Sequence, residues 1–535
     1  MGLFAAVIGL GAFLLFQVQF ILAKVILPWF GGAASVWATC MVFFQVVLLL
    51  GYLYSHLLTR RFSPARQAAV HGALLLASLA FLPVFPSPGW KPTGADSPAL
   101  RILALLSATV GVPYLLLSAT SPLVSAWCAR RRRGEVPYRL YALSNAGSML
   151  ALLSYPILVE PFWTASRQAR AWSAAYVAFA LLCAAAAARS RKDPPPLPDV
   201  PGNVEEDAAP GLSAYLLWAS LAACGSALLL SVTGHLTQNV AAIPFLWVLP
   251  LAVYLLTFIL CFAEGARYYR RGFCLVLLLP AFSVCAYLMH KGVDFRNLRI
   301  SVPAFAVALF IFCMYCHGEL VARKPAPRHL TAFYLMVSLG GATGGAFVGL
   351  AAPVLFPGLF ELHASLLALA ALAVILIALD ARAAKGSAGK RAALPAAAAL
   401  ASLGLAAILG NEVRETLRYT RVSVRNFYGA LRVTDVSDDA GKGTVRRLTH
   451  GVINHGVQYL APELRRKPTT WYGPDSGVGA ALAHGVLVPP GFARGGVGGP
   501  RGRAPLPGAG TARAFRPPGG GRLHRGRHPG PPADR

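Results

Sequence analysis

Apolar runs dominate the chain up to about residue 410, and short polar or basic segments break them. A helix that crosses the hydrocarbon core of a membrane needs about 20 such residues. Runs approaching that length lie near 3–22, 35–58, 68–86, 103–127, 141–160 and 171–188, then near 212–232, 240–262, 272–290, 300–317, 329–352 and 362–380. One more, about 392–410, is rich in alanine. Residues 189–211, rich in proline and acid, cannot bury a core and read as a cytoplasmic linker. The pattern predicts an all-α membrane bundle of two six-helix halves (1–188 and 212–391), followed by an extra helix and connector (392–418).

The halves share a pattern. Tyr141–Pro161 in the fifth run and Tyr334–Pro357 in the eleventh both start at tyrosine, pass serine and a cluster of small residues, and end in proline. Six runs apart and in the same orientation, they fit a parallel repeat of the major-facilitator kind. Gly147, Gly340, Gly341, Gly344 and Gly345 permit close helix packing.

After residue 418 the periodicity changes. NFYGALRVTDV alternates as a strand does, SDDAGKG is a turn, and TVRRLTHGVINHGVQYL is strand-like with bends at Gly451 and Gly456. Residues 419–482 therefore predict a small antiparallel sheet, which is marginal alone and needs a surface to lean on. Beyond 483 the sequence is arginine, glycine, proline and alanine without apolar period, so it reads as a disordered tail. The abrupt change suggests out-of-frame translation of the tail.

Composition agrees with the pattern. Hydrophobic residues make up 56% and charged residues 13%, against about 25% charged in soluble domains. The net charge of +28 sits largely in short clusters after even-numbered runs, among them Arg60 and Arg61, Arg130–Arg133, Arg189 and Arg191, and Arg323 and Lys324. That distribution is the positive-inside pattern, with the N-terminus and these loops in the cytoplasm; it does not point to nucleic acid. The expected partner is the lipid bilayer, and the expected address is a bacterial inner membrane. Thirteen crossings would put the sheet outside. Yet Arg414, Arg418, Arg421 and Arg425 favour the inside. An interfacial or partly inserted thirteenth run would reconcile the two and leave the module cytoplasmic.

A resemblance narrows the reading. The stretches LPWFGGAASVWATCMVFFQ, YALSNAGSMLALLSYPILVEP, HLTQNVAAIPFLWVLPLAVYLLTFILCF, CHGEL, and RNFYGALRV through TTWYGPDSGVG resemble the bacterial fused major-facilitator/spermidine synthase family over most of residues 1–480. The resemblance implies that 419–482 is the N-terminal β module of an aminopropyltransferase, whose Rossmann-like domain would bind decarboxylated S-adenosylmethionine as co-substrate beside a polyamine. It places substrate contacts at Asn454, Tyr472 and Asp475; Asp475 also reads as the cap of a following helix. Two positions depart from the family pattern: His450 stands where an Asp is expected and Asn454 where a Gln is expected. The glycine-rich donor turn and the catalytic carboxylate, due after Gly479, are missing. The expectation is an enzyme-like module with no catalytic residue and no aminopropyltransferase activity. The alternative is a transporter of a small cationic solute with a vestigial or sensory module.

Ionisable groups in apolar runs are costly and often functional. Glu160, His317 and Glu319 are the candidates for a cation-binding cavity, the plainer reading being interfacial groups paired with arginines. Cys313-Met-Tyr-Cys316-His317 matches a haem-attachment spacing, but two membrane cysteines beside a polar helix end is preferred. The nine cysteines imply no disulfide framework and no metal site. Lys24 is expected to snorkel, and His235 and Gln238 to sit solvated in a loop. The pattern sets no oligomeric state.

Overall fold

The computed structural model describes residues 2–92, 97–131, 138–191, 210–239, 244–263, 271–291, 298–325, 329–383, 388–437, 443–451 and 453–483. Most of the linker, and the tail beyond residue 483, lie outside them. The chain divides into two units, Met1–Trp471 and Tyr472–Arg535.

The first unit contains the helices α1 (Gly2–Ile26), α2 (Ala34–Arg61), α3 (Pro64–Ser78), α4 (Pro98–Arg131), α5 (Tyr138–Ser154), α6 (Ala165–Ser190), α7 (Leu212–Asn239), α8 (Pro244–Phe262), α9 (Arg271–Lys291), α10 (Leu298–Ala322), α11 (Leu330–Ala346), α12 (Glu361–Ala383) and α13 (Ala388–Arg418). Each corresponds to an apolar run of the sequence. Among the described residues, nine helices are long and apolar enough to cross a membrane. Three shorter apolar stretches fall in α5, α8 and α9. Proline is tolerated inside α4, α8, α9 and α10, because neighbouring helices and Ser/Thr side chains can satisfy freed backbone groups.

The pairings of the helices repeat between the halves. α1 packs on α5 as α7 packs on α11, and α2 packs on α4 as α8 packs on α10. Across the seam, α2 meets α11 and α5 meets α8. The close approaches repeat too. A Cβ on Gly147 would lie 2.7 Å from the carbonyl oxygen of Gly9, and one on Gly340 would lie 2.2 Å from that of Ala219. Gly9 and Ala219 each stand seven residues past the start of their helix. Both α5 and α11 run for 17 residues and then widen into a five-residue π turn, Tyr155–Val159 and Phe347–Ala351.

The module is a four-stranded antiparallel sheet in the order β1-β2-β3-β4: β1 Thr420–Asn426, β2 Gly429–Ser437, β3 Thr444–His450 and β4 Ile453–Tyr459. The strand expected over NFYGALRVTDV is instead the end of β1, a turn and β2. Asn426 Oδ1 accepts the backbone N–H of Tyr428 at 2.9 Å, and Gly429 supplies φ +148°. Gly451, at φ +59°, makes the β3–β4 turn. Gly456 faces a register shift between Leu448 and Thr449.

The surface the sheet leans on is one end of the bundle. Ser423 Oγ donates to the carbonyl of Pro357 at 2.7 Å. Arg425 forms a bidentate pair with Glu361 at 2.9 and 3.0 Å, and both side chains are buried. Ser35 Oγ donates to the carbonyl of Phe427, and the Tyr428 ring covers Gly31. These contacts involve the α1–α2 and α11–α12 connections. The basic ends of α2, α4, α6 and α10 lie on the opposite face. The thirteenth run, Ala392–Arg418, is long and apolar enough to cross a membrane, and α13 packs on α12 and α9. The sheet packs at the end of the bundle away from the basic ends of α2, α4, α6 and α10. Arg425 is neutralised by Glu361, and Arg421 pairs with Asp435 at 3.2 Å.

In the second unit, α14 (Gly477–Ala483) is capped by Ser476, whose Oγ accepts the N–H of Gly479 at 3.0 Å. Asp475 is not the cap.

Candidate functional site

A cavity of about 260 Å³ lies at the seam between the halves. α1, α2, α4 and α5 line it from one side and α7, α8 and α11 from the other. It runs from mid-bundle towards the basic face: Phe262 is the last residue of α8, and Tyr334 lies near the start of α11. Its wall is aromatic and aliphatic, dotted with amides and hydroxyls, and its lining carries no ionisable acid or base other than tyrosine.

The polar groups are held individually. Gln19 Nε2 donates to the Tyr114 hydroxyl at 3.0 Å. Gln45 Nε2, on α2, donates to Ser226 Oγ on α7 at 2.9 Å, so one amide ties the two halves. Its own Oε1, and Ser338 Oγ, are buried without a protein partner. In an apolar wall such atoms are costly unless something hydrogen-bonds them. Towards the opposite face the seam closes on aromatic rings: Trp37 of α2 and Trp247 of α8 stack at 4.7 Å and 9°, with Phe20 stacked on both Trp37 and Tyr155.

None of the three ionisable candidates lines the cavity. Glu160 pairs with Lys24 at 3.0 Å, both partly exposed; Lys24 therefore meets a carboxylate at the α1–α5 end. Glu319 is buried and pairs with Arg323, which also reaches Asp380 at 2.9 Å. That triad ties α10 to α12. His317 is fully buried one layer behind the wall. Its Nδ1 lies 2.9 Å from Thr257 Oγ1, and its ring packs on Tyr254 and Phe258, which do face the cavity. Cys313 and Cys316 are equally buried, without the open space a covalently attached haem would need. Among the described residues, no cluster could hold a metal ion. His235 lies within α7 against Phe305, and Gln238 is on the same helix with a buried, unpartnered Oε1; neither is a solvated loop residue.

The implied polyamine contacts are split between the units. Asn454 is on β4, and its Oδ1 accepts the N–H of Gly456 at 3.1 Å. Tyr472 and Asp475 belong to the second unit and are both exposed. On the sheet, Asp435 accepts from Arg446 at 2.8 and 3.0 Å and from Arg421. The Arg446 hydrogen bond foremost, then Arg421, holds its carboxyl below the usual carboxylate range.

Sequence reasoning missed Gln19, Gln45, Ser338, Trp37 and Trp247. The available signal was a lone amide, hydroxyl or indole within an apolar run, with nothing local to mark which way it faces.

No protein-family model matches the chain. No curated protein matches it. Among solved structures, the human organic anion transporter MFSD10 (TETRAN) is 13% identical, with 69% of this chain and 96% of that one covered at a TM-score of 0.42. The POT family transporter PepTSo is 13% identical over 77% and 98%, at 0.41. An auto-inhibited POT family peptide transporter is 15% identical over 80% and 100%, at 0.40. Likenesses of that size carry neither a fold nor a function to this chain.

Proposed function

We propose that the chain is a membrane solute carrier of the two-halved, major-facilitator-like kind, and that the seam cavity is its substrate site. The observation that carries this reading is the cavity's position: both halves line it, one end is sealed by stacked rings, and the other extends towards the basic face. The repeated pairings support two halves that rock about a central site. By the positive-inside rule the basic face is cytoplasmic, which makes this the inward-facing arrangement.

The lining favours an uncharged organic solute with an apolar body and a few hydrogen-bonding groups. A polyamine would bring several charges into a wall that offers no carboxylate, and an unpaired buried charge is strongly disfavoured. A hydrogen-bonding group of the solute would satisfy Ser338 Oγ, which lines the cavity without a protein partner.

Thermal melting of the purified full chain against a panel of neutral organic solutes, with spermidine alongside, tests the reading. A ligand at 100 times its Kd stabilises by about 2.7 kcal/mol. Neutral solutes are expected to raise the Tm and Gln45→Leu to abolish the rise. Stabilisation by spermidine alone, or hits indifferent to Gln45→Leu, would count against it. Incubation with putrescine and decarboxylated S-adenosylmethionine is expected to give no aminopropyl transfer, because the Asn454 side chain is engaged by the backbone N–H of Gly456.

A further inference from the structure

The sheet does more than rest on the bundle. Its β1–β2 hairpin touches both halves at once, on the face where the seam is closed. On the first half, Ser35 donates to the Phe427 carbonyl and Tyr428 covers Gly31. On the second half, Arg425 is clamped by Glu361 and also donates to the Gly358 carbonyl at 2.5 Å, and Ser423 donates to Pro357. All these contacts come from one short segment, residues 423–428. The Trp37–Trp247 stack joins the same two halves near the same end, with Trp37 on α2 only two residues from Ser35.

Opening the cavity towards this face requires the halves to part there, which would separate Ser35 from Glu361. A rigid hairpin held by both cannot follow both. Either one set of contacts breaks or the face stays shut. The two sets are unequal. A buried, bidentate arginine–carboxylate pair is the stronger hold, whereas one hydroxyl bond and a ring over a glycine are the weaker. The hairpin would therefore leave with the second half, releasing Ser35 and Gly31.

We propose that the β1–β2 hairpin is a built-in latch that holds the two halves together on the face opposite the basic loops, so that its release gates outward opening of the cavity. The proposal rests on the carrier reading above. It assigns the module a conformational role that needs no donor site and no catalysis.

The test uses the full chain carrying Ser148→Cys, a cavity position on α5, in right-side-out and inverted membrane vesicles. A membrane-impermeant maleimide reports which face reaches it. With the latch intact, labelling is expected from the basic face only. Glu361→Gln and Arg425→Gln, which weaken the second-half contact, and the milder Ser35→Ala, which removes the first-half hydroxyl, should each raise labelling from the opposite face several-fold. Labelling from the basic face must persist in all three, which reports that they fold. Unchanged far-face labelling in all three overturns the latch while leaving the carrier standing. A parent protein that labels from neither face overturns the carrier reading itself.

Discussion

At the scale of single residues, the structure separates charges that matter from charges that merely occur in apolar sequence. Glu160 meets Lys24 where both are partly exposed, and exposed ion pairs contribute little. Glu160→Gln should shift stability by less than about 1 kcal/mol, read by thermal melting in detergent, and should leave cavity binding unchanged. Asp435 is different. Its folded pKa is depressed by Arg446 and Arg421, so its contribution is present above the ordinary carboxylate pKa and is lost as pH falls through the lower folded value. Acidification below the usual carboxylate range should loosen the sheet, followed by limited proteolysis, and Asp435→Asn should remove that pH dependence. The sequence identified Glu160, His317 and Glu319 because charge in an apolar run stands out. It could not reveal Gln45 or Ser338 as cavity lining, because nothing local marks which way a lone polar side chain in an apolar run faces.

At the scale of elements, close approach of backbones dominates. A Cβ on Gly344 would lie 2.2 Å from the carbonyl oxygen of Ala223, whereas one on Gly341, three residues away, meets nothing within 4 Å. Gly344→Ala should force α11 from α7 and destabilise by about 1–3 kcal/mol, as overpacking does; Gly341→Ala should be tolerated. Melting of the two variants side by side decides it, and equal effects would mean that α7 and α11 are less tightly apposed. The helices were legible as apolar runs, and the repeat as Tyr141 and Tyr334 six residues ahead of Gly147 and Gly340. β1 was not foreseen. RVSVR alternates arginine or serine with valine as a strand does, but the run is short and its arginines find their partners, Asp435 and Glu361, far along the chain.

At the scale of the whole molecule, sidedness was the hardest feature to read. Arginines at 414–425 argued for one face and the number of crossings for the other. The sequence does not show that α13 packs along α12, or that Arg425 is met by Glu361. Ser437→Cys, on the exposed end of β2, should react with an impermeant maleimide added outside intact cells, without permeabilisation. Reaction only after permeabilisation would return the sheet to the cytoplasm and undo the sidedness of the latch.

The two π turns carry a historical consequence. Each adds width to a helix at the same distance from its start, once in each half. Two separate insertions at matching turns are a poorer account than one insertion in a half-length ancestor, copied when its gene doubled. On that account the widened turn is older than the two-halved protein, and the ancestral half met its own copy across the seam before α2 and α8, or α5 and α11, had diverged.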